Sequence, residues 1–440
     1  MSSFLTVGLF FVFRRFWSIR NLDVVLLICF APGLLMVQEG YRREVATIEN
    51  LVKTPAPESD LRQDDTAPLP GELDGARRLR LSGFIALFFV EFLLMIRMLL
   101  DPMMVRRPLL DPNLTTGGLN FIAISLFVFM MANVVASTPE AQQEQGPRLG
   151  PGYALINMLP ALPTRPEATP SGLADDAAAP QETDSRRVLI AKTIAILGQT
   201  AVLVGMLLIG SHHFANLRAG AGCVMLYLLS PYTAQMTGRV DHVVPAAMMV
   251  WAVLMYHRPL IAGMFVGAAA GLVYYPLFLL PLWIGFYWQR GGGRFGLGVV
   301  ATLTVLTGLL VLAGGEPFLL HLRRMFGLFM PTWNPQGVWA VGWNPVWRLP
   351  VIVGFVILSF FLATWPTNKN LGSLISCSAA LMVAAQFWHG YGGGLYLSWF
   401  LPLVLLTMYR PNLQDRVALR VIDGPSAPPT PRATMEVDAA

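Results

Sequence analysis

Charged and histidine side chains beside apolar stretches are the residues of this sequence that could do chemistry. Arg239, Asp241 and His242 fall within four consecutive positions between two apolar runs. Ionisable groups in or next to a membrane span are costly, so such a group needs an explanation. The three side chains could form an acid/base or substrate-binding cluster at a membrane face. The alternative is a solvated turn in which Arg239 pairs with Asp241.

Two carboxylates, Glu39 and Glu44, follow the first long apolar run directly. A helix over residues 41–52 would place Tyr41, Glu44 and Ile48 on one face. Either carboxylate could act as a general base held at the membrane surface. The alternative is a surface helix with ordinary intrahelical ion pairs.

The segment 315–348 is apolar, aromatic and basic. Arg323 and Arg324 suit a phosphate, because a guanidinium group can bind two phosphate oxygens at once. Trp333 and Asn334 begin a Trp-Asn-Pro motif, in which the indole suits a sugar ring and the amide suits its hydroxyls. The alternative is that these tryptophans and arginines anchor the chain at the membrane interface.

His389 lies in the glycine-rich turn 388–394, which is flexible enough to close over a ligand. Its alternative role is structural. The three cysteines lie inside apolar stretches, and neither they nor the histidines show the spacing of a strong metal site. No nucleotide-binding signature is present. We therefore expect neither a metal nor another cofactor, and no nucleic-acid partner.

The composition indicates a membrane protein. The chain has 440 residues, of which 55% are hydrophobic and 13% charged, and its mean hydropathy is +0.55. The charged fraction is roughly half that of an average soluble domain. A disordered chain, a coiled coil and an ordinary cytosolic enzyme are excluded. The net charge of +5 comes from short basic clusters beside apolar runs, where such residues set orientation.

A spanning helix needs about 20 mostly apolar residues. One helix over 259–288 would overshoot the membrane, and the proline in Tyr274-Tyr275-Pro276 disfavours a helical residue before it. Two shorter helices fit this run better. The sequence then predicts an all-α integral membrane protein with about twelve spans, at 22–37, 82–100, 119–137, 188–210, 219–236, 243–257, 259–273, 276–289, 295–314, 349–364, 371–387 and 393–409.

The basic residues of the short loops predict the orientation. With twelve spans, both termini lie in the cytoplasm and every basic short loop falls on that side. The expected location is a bacterial inner membrane.

The chain outside the spans is expected to differ from segment to segment. Residues 1–21 are expected to form a cytoplasmic amphipathic segment, 38–80 a polar outer loop, 138–187 a partly disordered outer loop and 411–440 a disordered tail. Glu91 and Arg97, inside the second span, are expected to pair with polar groups on neighbouring helices rather than to line an ion path.

Several short motifs between about residues 200 and 410 form a familiar series. They are Gly238-Arg239-Val240-Asp241-His242, Tyr256-His257-Arg258-Pro259, Ala262-Gly263, Tyr275-Pro276 with the Leu/Pro run after it, and Trp388-His389 through Trp399-Phe400-Leu401-Pro402. This series resembles the multi-spanning glycosyltransferase C superfamily, in particular glycosyltransferase family 87. The core 188–410 is therefore expected to have a fold like that of this superfamily.

The resemblance implies transfer of a sugar from a polyprenyl-phosphate donor to a lipid-linked or protein acceptor on the outer side of the membrane. A carboxylate after the first span, here Glu39 or Glu44, would deprotonate the acceptor. Asp241 and His242 would assist at the acceptor, and Arg323 and Arg324 would hold the phosphate. The expected site residues are Glu39, Glu44, Arg239, Asp241, His242, Tyr275, Arg323, Arg324, Trp333, Asn334 and His389.

Two other functions compete with this one. A transporter would show polar residues near the midplane of several spans and an internal repeat, and neither is evident. A non-catalytic membrane scaffold would bind partners through its long outer loops.

Overall fold

The protein is multi-pass and helical. The computed structural model describes residues 2–13, 16–53, 71–104, 110–137, 143–144, 153–162, 185–289, 291–313, 318–326, 337–340, 344–390 and 392–411. Within them, six helices are long and apolar enough to cross a membrane, which agrees with the predicted all-α membrane class. Besides helices there is a short antiparallel pairing of Gln143–Glu144 with Pro160–Ala161.

The described residues contain fifteen α-helices. In chain order they are α1 (Ser2–Phe10), α2 (Ile19–Lys53), α3 (Gly71–Leu100), α4 (Thr116–Val135), α5 (Ser185–Leu208), α6 (Leu217–Leu229), α7 (Pro231–Met236), α8 (Val240–Leu254), α9 (Pro259–Leu272), α10 (Leu280–Tyr287), α11 (Gly292–Ala313), α12 (Phe318–Met325), α13 (Arg348–Thr364), α14 (Leu371–Trp388) and α15 (Leu401–Tyr409). The six long ones are α2, α3, α4, α5, α11 and α14.

The apolar run 259–288 is broken where the paired tyrosines and proline predict. Helix α9 ends at Leu272, a 3-10 turn covers Tyr275–Leu279, and α10 begins at Leu280. The hydroxyl of Tyr287, at the end of α10, donates to the carbonyl of Tyr256 over 2.6 Å. Tyr256 lies just before the start of α9. The end of α10 is therefore beside the start of α9, at the same end of the bundle.

Helix α14 connects the two ends of the bundle and is almost completely buried. It begins where Gly372 packs against the Arg410 guanidinium and finishes at Trp388, beside Tyr275. An Asn370–Ser373 capping box starts the helix, because each side chain bonds the other residue's backbone N–H. We call the two ends the Arg97 end, where Arg410 lies, and the His389 end.

Helices α2 and α3 form a close antiparallel pair that continues into the predicted outer loop 38–80. The pair is close because Gly40 lies against the backbone of Arg80, and Gly83 lies against that of Val37. Residues up to Lys53 and from Gly71 onward are helical, whereas 54–70 lie outside the described residues. Helices α2 and α3 are therefore longer than the spans predicted from hydropathy. Apolar packing and ion pairs between the two helices stabilise the additional turns.

Four charged residues are buried together at the Arg97 end. The Arg97 guanidinium donates to both oxygens of Asp23, at 2.8 and 2.9 Å, and to Asp101 at 3.1 Å. Arg410 donates to the other Asp101 oxygen at 2.6 Å. The network joins α2, α3 and the end of α15. The sequence predicted polar partners on neighbouring helices for both Arg97 and Glu91. Arg97 has one in Asp23 of α2, whereas the Glu91 oxygens have no hydrogen-bond partner among the described residues.

The two terminal segments differ in how much the structure describes. Helix α1, in the predicted amphipathic segment 1–21, packs against α2 and α6. Its Phe10 is buried and meets Tyr409 of α15 edge-on at 6.2 Å. Of the predicted tail 411–440, all but Pro411 lies outside the described residues. The location of both segments relative to a membrane stays a prediction.

The charged network predicts a specific pattern of stability. Arg97→Met leaves Asp23 buried without its cation, so we expect a loss of about 3–5 kcal/mol in the free energy of unfolding. The double variant Asp23→Asn/Arg97→Met keeps the Asp101–Arg410 pair and removes the orphaned charge, so it should lose less than the single variant. Unfolding in detergent, followed by tryptophan fluorescence, measures both.

The control is Arg78→Met, which removes an exposed arginine from the same helix. It should change the free energy of unfolding by no more than about 0.5 kcal/mol. If the double variant is at least as unstable as Arg97→Met, charge compensation within the network is refuted.

Candidate functional site

Asp241 lies at the start of α8 and is completely buried. Arg239 holds its carboxylate with two parallel hydrogen bonds, from Nε to Oδ1 at 2.9 Å and from Nη2 to Oδ2 at 2.8 Å. Such fork-like pairing fixes both groups. The Leu162 carbonyl lies against Gly238, in space that the Cβ of any other residue would occupy. The Arg239–Asp241 pair expected of a solvated turn is therefore present, but it is buried rather than solvated.

His242 connects α8 to the chain that follows the glycine-rich turn. Its Nδ1 hydrogen-bonds with the Tyr232 hydroxyl, and that hydroxyl donates to Ser398 Oγ at 3.3 Å. Ser398 Oγ donates to the backbone carbonyl of His242 at 2.6 Å, and the Trp399 indole donates to the carbonyl of Asp241 at 3.0 Å. The start of α8 is thus held in place by side chains from 397–399, a 3-10 turn before α15.

Aromatic rings bring His242 and His389 together. The Tyr396 ring lies between them, with centroid distances of 4.5 Å to His242 and 4.6 Å to His389. Tyr275 stacks on His389 at 4.7 Å, and the Tyr153 hydroxyl is 2.6 Å from His389 Nε2. We call Asp241, His242, Tyr275, His389 and Tyr396 the buried cluster.

The electrostatics around His389 favour its neutral form. Burial lowers the pKa of His389 to about 3, and the charge of Arg348 acts in the same direction, while Asp241 opposes it. Burial also raises the pKa of the Tyr153 phenol well above its ordinary value. Tyr153 and His389 are therefore both neutral near pH 7. Their hydrogen bond joins two uncharged groups.

The glycine-rich turn folds back over the end of α14. Gly392 and Gly394 have φ of +88° and +87°, a region that side chains other than glycine rarely adopt. Gln386 Oε1 accepts the backbone N–H groups of Gly394 at 3.2 Å and Tyr396 at 3.3 Å. On the other side of the turn lies Glu91 of α3, whose carboxylate is completely buried.

Sequence reasoning missed Arg348 as a member of this site. It is the first residue of α13, is buried, and donates from Nε and Nη2 to the Trp388 carbonyl at 3.2 and 2.9 Å. Its guanidinium lies against Gly390, next to His389. Tyr153 and Tyr232 were missed as well. Arg348 belongs to none of the sequence motifs described above. Nothing in the sequence around it indicates a contact with Trp388, 40 residues later.

The two candidate bases after the first span are not members of the buried cluster. Glu44 is buried in an ion pair with α3, 2.5 Å from Arg80 and 3.3 Å from Arg77. Glu39 is partly exposed and pairs with Arg42 and Arg43 of its own helix, at 2.8 Å in each case. Glu39 thus forms the ion pairs within its own helix that the alternative interpretation expected. Glu44 instead forms ion pairs that connect α2 to α3.

The remaining predicted residues lie in the segment 315–348. Arg323 is exposed on α12, and the buried Met325 packs that helix against α11. The side chain of Arg324, and Trp333 and Asn334 entirely, lie outside the described residues. Within the described part of the chain, no group of three His, Cys, Asp or Glu residues could hold a metal ion.

No known protein family, no curated protein and no solved structure matches this chain. The likeness to glycosyltransferase family 87 therefore stays a prediction from the motifs. What the structure adds is that Asp241, Tyr275 and His389, taken from three separate motifs of that likeness, meet in one cluster.

The lowered pKa of His389 predicts how stability depends on pH. Below its ordinary pKa of about 6.5 the unfolded chain binds a proton that the folded chain does not bind until near pH 3. His389 thus contributes stability that is complete above pH 6.5 and is lost as the pH falls, by about 1.4 kcal/mol per pH unit. His389→Gln should flatten this dependence between pH 6.5 and 4, measured by unfolding in detergent.

The control is His212→Gln, at an exposed histidine for which we expect wild-type pH dependence. A His389→Gln variant that destabilises as steeply as wild type towards low pH would show that His389 is protonated in the folded protein.

Proposed function

We propose that this chain is a membrane glycosyltransferase. It moves a sugar from a polyprenyl-phosphate donor to a lipid-linked or protein acceptor on the outer side of a bacterial inner membrane. The observation that carries this is the convergence of Asp241, Tyr275 and His389 in the buried cluster. A cluster that combines aromatic faces, neutral histidines and an acid–arginine pair has the groups that bind a sugar and its hydroxyls.

The proposed topology has twelve spans. Six shorter segments add to the six long helices: α6, α8, α9, α13, α10 together with the 3-10 turn before it, and the stretch 393–409 that ends in α15. Both termini then lie in the cytoplasm. The Arg97 end then faces the cytoplasm, and the buried cluster lies at the outer face. The return of α10 to the level of Tyr256 supports this arrangement, because it keeps Tyr275 and His389 at one end.

The chemistry of each side chain suggests its role in the proposed reaction. Asp241 and His242 orient the acceptor hydroxyl, and the rings of Tyr275 and Tyr396 contact the sugar. Arg348 places a positive charge beside His389, at the edge of the cluster. Arg323 and Arg324 of α12 remain candidates for the donor phosphate. Because the Tyr153 hydroxyl occupies His389 Nε2, a sugar hydroxyl that bonds this nitrogen must displace Tyr153.

A non-catalytic scaffold is the second candidate, and one observation favours it. The polar groups of the cluster satisfy one another, through the Arg239–Asp241 fork and the bonds of His242 to Tyr232 and of His389 to Tyr153. A ligand is not needed to pair them. The scaffold predicts that the protein releases no lipid phosphate from any polyprenyl-phosphate sugar.

Cysteine labelling tests the topology at two glycines with open space around them. Gly75, in the first turn of α3, should face outward, and Gly293, in the first turn of α11, should face the cytoplasm. A membrane-impermeant maleimide should label Gly75→Cys in intact cells, and Gly293→Cys only after permeabilisation. Wild-type protein controls for the native cysteines. The opposite pattern of labelling would place the buried cluster on the cytoplasmic side.

An activity assay tests the reaction. Purified protein is incubated with polyprenyl-phosphate hexoses, and released lipid phosphate is measured. Asp241→Asn should lower turnover about 10- to 100-fold, since a hydrogen bond to a charged group is worth about 1.5–3 kcal/mol. Asp111→Asn, an exposed carboxylate paired with Arg218 at the Arg97 end, should retain wild-type turnover. Absence of turnover with every common donor would favour the scaffold.

A further inference from the structure

Glu91 of α3 differs from the other described carboxylates near the His389 end. Glu39, Glu44 and Asp241 are each held by arginine, whereas both oxygens of Glu91 are buried and have no hydrogen-bond partner in the described part of the chain. A buried carboxylate without a donor is costly, so its presence calls for a ligand or a function.

The surroundings of Glu91 point toward the buried cluster. A Cβ placed on Gly394 would lie 3.9 Å from Glu91 Oε2 and 2.9 Å from the Phe88 ring. Two residues after Gly394 comes Tyr396, which packs between His242 and His389. Gly394 of the glycine-rich turn therefore lies between Glu91 and the segment that carries Tyr396 into the cluster, and it presents no side chain.

We propose that Glu91 is the general base of the glycosyl transfer, a role that rests on the proposed function. Glu39, Glu44 and Asp241 are poorly suited to this role, because arginine ion pairs already occupy their carboxylate oxygens. Among the described residues, no donor bonds the Glu91 oxygens and no arginine or lysine forms an ion pair with them. Residues 392–394 are held by the bond from the Gly394 N–H to Gln386, by the bond from the Leu395 N–H to the Gly392 carbonyl and by the close packing of Gly393 on the Gln386 carbonyl. Movement of these residues would let an acceptor hydroxyl reach Glu91.

The step balances without any further reactant. The acceptor oxygen forms a bond to the anomeric carbon of the sugar while its proton passes to Glu91. The bond from that carbon to the phosphate oxygen breaks, and its electron pair leaves with the polyprenyl phosphate. Glu91 then returns the proton to water when the turn opens.

The first test separates catalysis from binding and folding. Glu91→Gln should lower turnover about 10²- to 10⁴-fold, while the Kd for the polyprenyl-phosphate donor stays within about twofold of wild type. Glu91→Asp should restore part of the turnover, and the acidic limb of the pH–rate profile should disappear in Glu91→Gln. The melting temperature of Glu91→Gln should not fall, because no hydrogen bond is lost. Asp111→Asn is the matched carboxylate control.

The second test does not depend on turnover. A membrane-permeant carbodiimide, followed by peptide mass spectrometry, should modify Glu91 and leave the arginine-paired Glu44 and Asp241 unmodified. Bound donor should change the extent of modification at Glu91.

The outcomes separate the two proposals. An active Glu91→Gln variant would refute Glu91 as the base and leave the glycosyltransferase standing. Loss of turnover together with a lower melting temperature or lost donor binding would show a structural role and overturn the inference. A wild-type protein that is inactive with every donor would overturn both proposals, whatever the labelling.

Discussion

The burial of α14 is the constraint on which the rest of the structure depends. A helix that is covered along its whole length has no water to satisfy its terminal N–H and C=O groups, so the protein must supply the partners. At its beginning, Asn370 caps the first turn. At its end, the Trp339 indole donates to the Phe387 carbonyl at 3.1 Å, and Arg348 donates to that of Trp388. The two partners at the end of the helix lie 40 or more residues away in the sequence.

The candidate site is a consequence of how the end of α14 is closed. Because the next residues must return into the bundle rather than leave it, the chain turns sharply through Gly392 and Gly394, and the Gln386 amide holds the returning backbone. That return carries Tyr396 between His242 and His389. The stacking that assembles the buried cluster therefore depends on the hydrogen bonds that the Gln386 side chain makes near the end of the central helix.

Local sequence patterns predict where the helices lie and where they break. They do not predict which side chains pair between helices. Proline after the paired tyrosines disfavours helix at Tyr275, and the structure breaks there. Hydropathy likewise indicated the apolar helices. The partner of Arg97, however, is Asp23, 74 residues earlier, and that of His389 is Tyr153, 236 residues earlier. Such pairs arise from tertiary packing, which leaves no periodicity in the sequence. The likeness to a glycosyltransferase family is still a prediction.

The carboxylates of this protein show why buried charge alone does not identify a catalytic residue. Asp23, Asp101, Glu44 and Asp241 are all buried, and each meets an arginine that compensates for lost hydration. Removing their arginines would cost stability, which is the mark of a structural pair. Neither oxygen of Glu91 has a hydrogen-bond partner within the part of the chain that the structure describes. A buried carboxylate of this kind beside the glycine-rich turn is hard to explain by folding, so function is the simpler physical explanation for its presence.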